Sequence, residues 1–112
     1  MIRLTVNYPN TPGGRFDLDY YLTKHMPLVD QKMKPHGLRS WSVVKGLGGV
    51  APGSPAPFMI TATMDFDSME TLQGGMAAES ASILADIPNY TDIQPQIQID
   101  EILKMKATPA TA

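Results

Sequence analysis

Residues 38–67 read LRSWSVVK (38–45), GLGGVAPGSPAP (46–57) and FMITATMDFD (58–67). In the last stretch Phe58, Ile60, Ala62, Met64 and Phe66 alternate with Met59, Thr61, Thr63, Asp65 and Asp67. That period of two gives a strand one strongly apolar face. LRSWSVVK reads as a strand as well, and the Gly- and Pro-rich residues between the two have nothing to pack, so they form a loop. Two strands therefore follow one another with no helix between them, and the element order is built around this pair.

Upstream, Ile2 to Tyr8 alternates apolar and polar residues until Pro9, Pro12, Gly13 and Gly14 end the strand. Asp17 is placed to N-cap a helix, with Phe16 and Tyr21 as its hydrophobic staple. Tyr21, Leu22, His25, Leu28, Val29 and Met33 recur at helical spacing and predict one core-facing stripe. Pro27 cannot donate to the carbonyl of Thr23 and crowds it, which predicts a kink or a break into two short helices beside His25. Pro35, His36 and Gly37 close the segment.

Downstream, Asp67 or Ser68 caps a second helix with the stripe Met69, Leu72, Met76, Ser80, Ile83 and Leu84. Gly74 and Gly75 each weaken it by up to ~1 kcal/mol unless close packing requires them. Asp86 to Asp92 is expected to be a loop, and a last strand is centred on Ile97, Ile99 and Ile102. The order is β-α-β-β-α-β, an α+β, ferredoxin-like arrangement with a four-stranded antiparallel sheet and both helices on one face. It forms one domain over residues 1–106, with 107–112 expected to be a disordered tail. Trp41, Val43 and Met59 are set against Val44, Phe58 and Ile60, so the strands read as apolar on both sides in places. A second copy packed sheet to sheet would cover the free face, which predicts a homodimer with a barrel-like interior. Right-handed crossovers bring loops 9–16, 46–57 and 86–92 to one end of the sheet, around the mouth of a pocket.

Composition narrows the function. A chain of 112 residues has room for one core and little for a nucleotide-binding domain plus a substrate domain. Without cysteine there are no disulfides, thiolate metal sites or thiol nucleophiles. A formal net charge of −2 offers no basic footprint for nucleic acid. No apolar run reaches the ~20 residues of a membrane span, and the opening MIRLTVNY lacks a secretory layout, so a cytoplasmic location is expected.

Two histidines, His25 and His36, are the side chains with reference pKa values near neutrality. Along a helix they would lie on the order of 16 Å apart, which argues against a shared metal. His25 follows Tyr21 by one turn, with Tyr20 at the adjoining angle, so the three could face a pocket as a polar trio. Imidazole can move a proton near neutral pH, while a phenol can donate to a carbonyl or enolate oxygen. The competing reading makes His25 a core residue whose ring N–H meets a carbonyl freed by Pro27. His36, before a glycine at a helix end, reads as structural. Gly46-x-Gly48-Gly49 lacks the phosphate-cradle spacing. Asp65 and Asp67 precede a helix, where acids ordinarily serve capping, and the methionines read as core fillers. Arg15 could greet an anion or be merely solvated.

The run Tyr8-Pro9-Asn10, Gly14-Arg15-Phe16-Asp17 and Tyr20-Tyr21-Leu22-Thr23-Lys24-His25-Met26-Pro27-Leu28, with Gly37 and Asp86-Ile87-Pro88-Asn89-Tyr90, resembles the EthD family. The resemblance implies a small dimeric α/β-barrel protein, with His25, Tyr20 and Tyr21 carried over as pocket residues. It also implies a small-molecule role, since the namesake is linked to alkyl ether degradation beside a haem monooxygenase. Relatives in polyketide pathways look like dehydratases or decarboxylases, and members are often labelled oxidoreductases. The expectation is a cofactor-independent pocket for a small apolar carbonyl or aromatic compound, with His25 as general acid or base. The alternatives are a non-catalytic accessory or carrier of an oxidative degradation system and an EthD-type oxidoreductase.

Overall fold

A computed structural model of the chain describes residues 1–106, so the tail expected at 107–112 lies outside the described residues. Strand β1 spans Ile2–Pro9, and Asp17 then caps α1, Leu18–Tyr20, by accepting from the Tyr20 N–H at 3.0 Å. The Phe16 and Tyr21 rings lie 5.1 Å apart, forming the staple. A π-helical turn, Tyr21–His25, leads into α2, Met26–Met33, with Pro27 in its first turn. The physical reason lies in Pro27: having no N–H for an α-type bond, it favours a wider turn just before it and then sits where a missing donor costs little.

This turn shifts the helical phase. The Met26 N–H bonds to the Tyr21 carbonyl, so Met26 takes the buried place beneath Tyr21 while Leu22 is 44% exposed. Uniform helical spacing puts Leu22 in the core stripe and leaves Met26 out; one extra residue in the turn reverses them.

A 3-10 turn, Lys34–His36, ends at Gly37, whose φ of +83° no L side chain adopts easily. Strands β2, Leu38–Lys45, and β3, Phe58–Phe66, follow, and then α3, Met69–Asp86. Ser68, not Asp67, is the cap of α3, in a reciprocal capping box with Thr71. Asp67 and Asp65 instead pair with Arg39 and Arg3. A Cβ on Gly75 would lie 2.7 Å from Met33 Cε and 2.8 Å from His36 Cβ, so this glycine is the close contact between α2 and α3. Gly74 faces open space. A 3-10 turn, Ile87–Asn89, leads to edge strand β4, Gln96–Glu101.

The sheet is antiparallel throughout, in the order β2-β3-β1-β4. Leu4, Val6 and Tyr8 of β1 lie beside Ile60, Ala62 and Met64 of β3, and all six are buried beneath the helices. The opposite face differs from the expectation. It carries Arg3, Thr5 and Asn7 beside Thr61, Thr63 and Asp65, bonded among themselves and to β2 and β4, with Val44 and Met59 on the same side. Trp41 turns the other way, and its indole N–H donates to Asp30 of α2. The face expected to be apolar in places keeps only Val44 and Met59 of the residues named for it and is otherwise largely polar, because the register puts Trp41, Val43, Phe58 and Ile60 together on the helix side. No helix among the described residues is long and apolar enough to cross a membrane.

Candidate functional site

The three loops do converge at one end. Asn10 donates to the carbonyls of Pro57 and Ala56, while Arg15 donates through its backbone N–H to Asp92 and through its guanidinium to the Pro88 carbonyl. Arg15 is thus a tie between loops. They do not ring a pocket mouth as expected: the cavity of about 70 Å³ between the sheet and the helices takes only Ile87 from these loops. Its wall is apolar, with Val6, Val29, Phe66 and Ile83 and four methionines, Met26, Met33, Met64 and Met76. His25, Tyr8 and Tyr21 bring the polar atoms. Leu84, Ile87, Pro95 and Ile97 line both this cavity and a surface groove of about 510 Å³, so the approach from solvent lies between the end of α3 and β4.

His25 closes the π-helical turn and is 5% exposed. Its ring stacks on Tyr21, with centroids 5.4 Å apart, and Tyr90 leans against it at 4.6 Å. Nδ1 lies 2.9 Å from Asp86 Oδ2, and Nε2 lies 3.4 Å from the Tyr90 hydroxyl, which is itself 2.6 Å from the Tyr8 hydroxyl. The Asp86 carboxylate also accepts from the Tyr20 hydroxyl at 2.7 Å and from the Asn89 amide at 2.9 Å.

The electrostatics follow from this setting. Burial works against the charge on Asp86, but the donors Tyr20, Asn89 and His25 outweigh it and hold the carboxyl below its ordinary 3.8. An ionised carboxylate can only accept, so Nδ1 of His25 carries the hydrogen it donates. Burial pushes the imidazole below its ordinary 6.5, against the pull of Asp86, so the ring is neutral near pH 7 with a lone pair on Nε2. Tyr90 can then donate to Nε2 and Tyr8 to Tyr90. Desolvation also drives the phenols of Tyr21 and Tyr90 far up, so both stay protonated.

His25 and Tyr21 meet at the cavity, while Tyr20 stands outside its wall with its hydroxyl turned to Asp86. His36 lies elsewhere, packed near Gly75. Asp86, Tyr90 and Tyr8 are site residues that sequence reasoning misses. Asp86 reads as part of a loop, yet it is the last residue of α3, and no local pattern marks an acid there as inward-facing. All three stand in the stretches that carry the family resemblance, Tyr8 in the first and Asp86 and Tyr90 in the last, but the resemblance gives them no role. No three His, Cys, Asp or Glu side chains converge among the described residues.

Comparison with known proteins adds an independent line. The model of the EthD domain matches residues 15–94. An EthD-like protein from Ralstonia eutropha JMP134 is 40% identical, with 95% of each chain covered and a TM-score of 0.88. An ethyl tert-butyl ether degradation (EthD) family protein from Bacillus halodurans C-125 is 23% identical over 92% of this chain and 99% of its own, with a TM-score of 0.70. At3g17210 from Arabidopsis thaliana shares the fold at 10% identity, covering 96% of this chain and all of its own (100%), with a TM-score of 0.67. Among curated proteins none matches.

Proposed function

This chain belongs to the EthD family, and from that premise we propose that it binds a small, neutral, largely apolar carbonyl compound and moves a proton on it with His25. The observation that carries the reading is the buried His25 imidazole, bonded to Asp86 and set in the wall of a largely apolar cavity that adjoins a surface groove. Nε2 takes the proton from the carbon next to the carbonyl, the electron pair moves onto the oxygen, and the Tyr21 phenol donates a hydrogen bond to the enolate. The imidazolium then returns its proton to the product. Four unbranched methionine side chains let the wall adapt around a guest larger than the 70 Å³ now open.

A panel of cyclic and aromatic ketones stands in for the natural substrate. In heavy water, exchange of the hydrogens next to each carbonyl is followed by proton NMR. Exchange above background for some member is expected, with a loss of ~10²–10⁴-fold in His25→Ala at unchanged far-ultraviolet circular dichroism. Exchange retained in His25→Ala would sink the reading. Ligand-induced shifts of cavity methyl groups without any exchange would favour the carrier reading, which the almost wholly apolar wall also supports.

Pairing of two copies is part of this proposal. Ile97 and Ile99 of edge strand β4 are about half exposed, Leu84 of α3 is 52% exposed, and Leu103 is 87% exposed. Apolar residues along an open strand edge favour association. Light scattering coupled to size exclusion is expected to give twice the chain mass.

A further inference from the structure

We infer that Asp86 is the positioning residue that decides which ring nitrogen of His25 is free to act, and that the π-helical turn exists in this fold to bring His25 and Tyr20 onto it together. The inference rests on the proton-transfer reading of His25 but concerns residues that reading does not use.

Three observations meet here. First, Asp86 is the last residue of α3, where a negative charge opposes the helix dipole and where the open carbonyls call for donors. Helix stability gives no reason for an acid at that position. Second, the carboxylate has three donors from three segments: Tyr20 from α1, His25 from the π-helical turn and Asn89 from the 3-10 turn that follows α3. Third, Tyr20 and His25 are five residues apart. In an uninterrupted α-helix, residues at that spacing point about 140° away from each other. A turn closed by i to i+5 bonds swings them onto one face, roughly 50° apart, and the Met26 N–H to Tyr21 carbonyl bond closes such a turn. The wide turn therefore does more than accommodate Pro27: it aims both side chains at one carboxylate.

The consequence is chemical. With Nδ1–H committed to Asp86, the neutral ring must present its lone pair at Nε2, whose neighbour, the Tyr90 hydroxyl, lies 3.4 Å away. A contact that long can give way to a guest. Tyr20 thereby changes role, from a residue expected at the substrate oxygen to one that acts through Asp86. The titratable groups facing the imidazole are Asp86 from α3, Tyr90 from the following loop, Tyr8 from β1 and Tyr21 on its own segment.

Nitrogen-15 NMR of the histidine side chains in the full chain tests this without turnover, with His36→Gln to assign the second ring. At neutral pH, His25 is expected to show a protonated Nδ1 and a bare Nε2. Asp86→Asn, which leaves one oxygen for three donors, is expected to mix or reverse the tautomers and to lower the titration midpoint of His25 further. Tyr20→Phe keeps the carboxylate and frees it from one competing donor, so it is expected to retain the tautomer and raise the midpoint. An unchanged tautomer and midpoint in Asp86→Asn would overturn the inference. Should that variant not fold, an unchanged midpoint in Tyr20→Phe would do so. In the exchange assay, Asp86→Asn is expected to lower kcat on the order of 10²-fold or more, with KM nearly constant and the acid limb displaced to lower pH. No exchange above background in the unmodified protein, with the tautomer results intact, would defeat the proton-transfer reading and leave the role of Asp86 standing.

Discussion

Two hydrogen-bonded networks lie on opposite sides of the same sheet. On the open face, Arg3 clasps Asp65 with two bonds of 2.7 and 3.0 Å, and Thr5 donates to Asp100 at 2.8 Å. On the helix side, Asp86, His25, Tyr90 and Tyr8 form a chain of contacts at 2.9, 3.4 and 2.6 Å. Similar lengths and atom types carry different consequences. Arg3 is 35% exposed at its side chain, so water competes for every bond it makes, whereas the His25 side chain is 6% exposed and enclosed by aromatic rings. Where solvent cannot replace a lost partner, each group is held to one protonation state and one orientation.

Removing a hydroxyl from the inner chain is the most direct way to break the comparison. Tyr90→Phe strips the partner from the Tyr8 hydroxyl and from His25 Nε2, and is expected to cost about 1–3 kcal/mol in urea unfolding. Thr61→Val on the outer face removes the bond to Asn7 and is expected to change stability by about 0.5 kcal/mol or less, since Asn7 can bond to water.

Acid reveals a second, higher pH window that the inner network alone possesses. The folded protein holds His25 below its unfolded 6.5, so the unfolded chain binds a proton that the native state refuses, and stability falls as pH drops below about 6.5. Asp86 and Asp65 are both held below their ordinary 3.8, so the bonds they make are lost only as pH falls below about 4. His25→Gln is expected to abolish the upper decline and leave the lower one, as followed by thermal melts from pH 7.5 to 3.

Salt gives the smallest and most specific contrast. The Arg3–Asp65 coupling, measured by a double-mutant cycle with Arg3→Met and Asp65→Asn, is expected at about 1 kcal/mol or less and to shrink between 0.05 and 0.5 M salt, roughly the range over which exposed pairs are screened. The coupling between His25 and Asp86 is expected to change little over the same range.

Much of this is legible in the sequence. Alternation in Ile2–Tyr8 and Phe58–Phe66 defines both central strands, because burial on one face of a sheet imposes a period of two. Asp17, Phe16 and Pro27 mark the start and the interruption of the first helix, because capping, stapling and a missing N–H act over a few residues. The resemblance that singles out His25, Tyr20 and Tyr21 lies in that same short run. Leu22 and Met26 exchange places for the opposite reason: a single π-helical turn shifts the phase of everything after it, and hydrophobic spacing alone assumes that the period never changes.

The chain by itself determined the strand and helix order, the cap of the first helix, the family and the histidine at the kink, all of which depend on neighbours in sequence or on a run of contiguous residues. Only the tertiary structure decided that Asp86 turns inward to His25 across 61 residues, that Tyr20 serves this carboxylate instead of the cavity, and that the free face of the sheet is polar. Those outcomes depend on strand register and on where one helix ends against another, quantities set by the packing of the whole core and written in no single stretch of it.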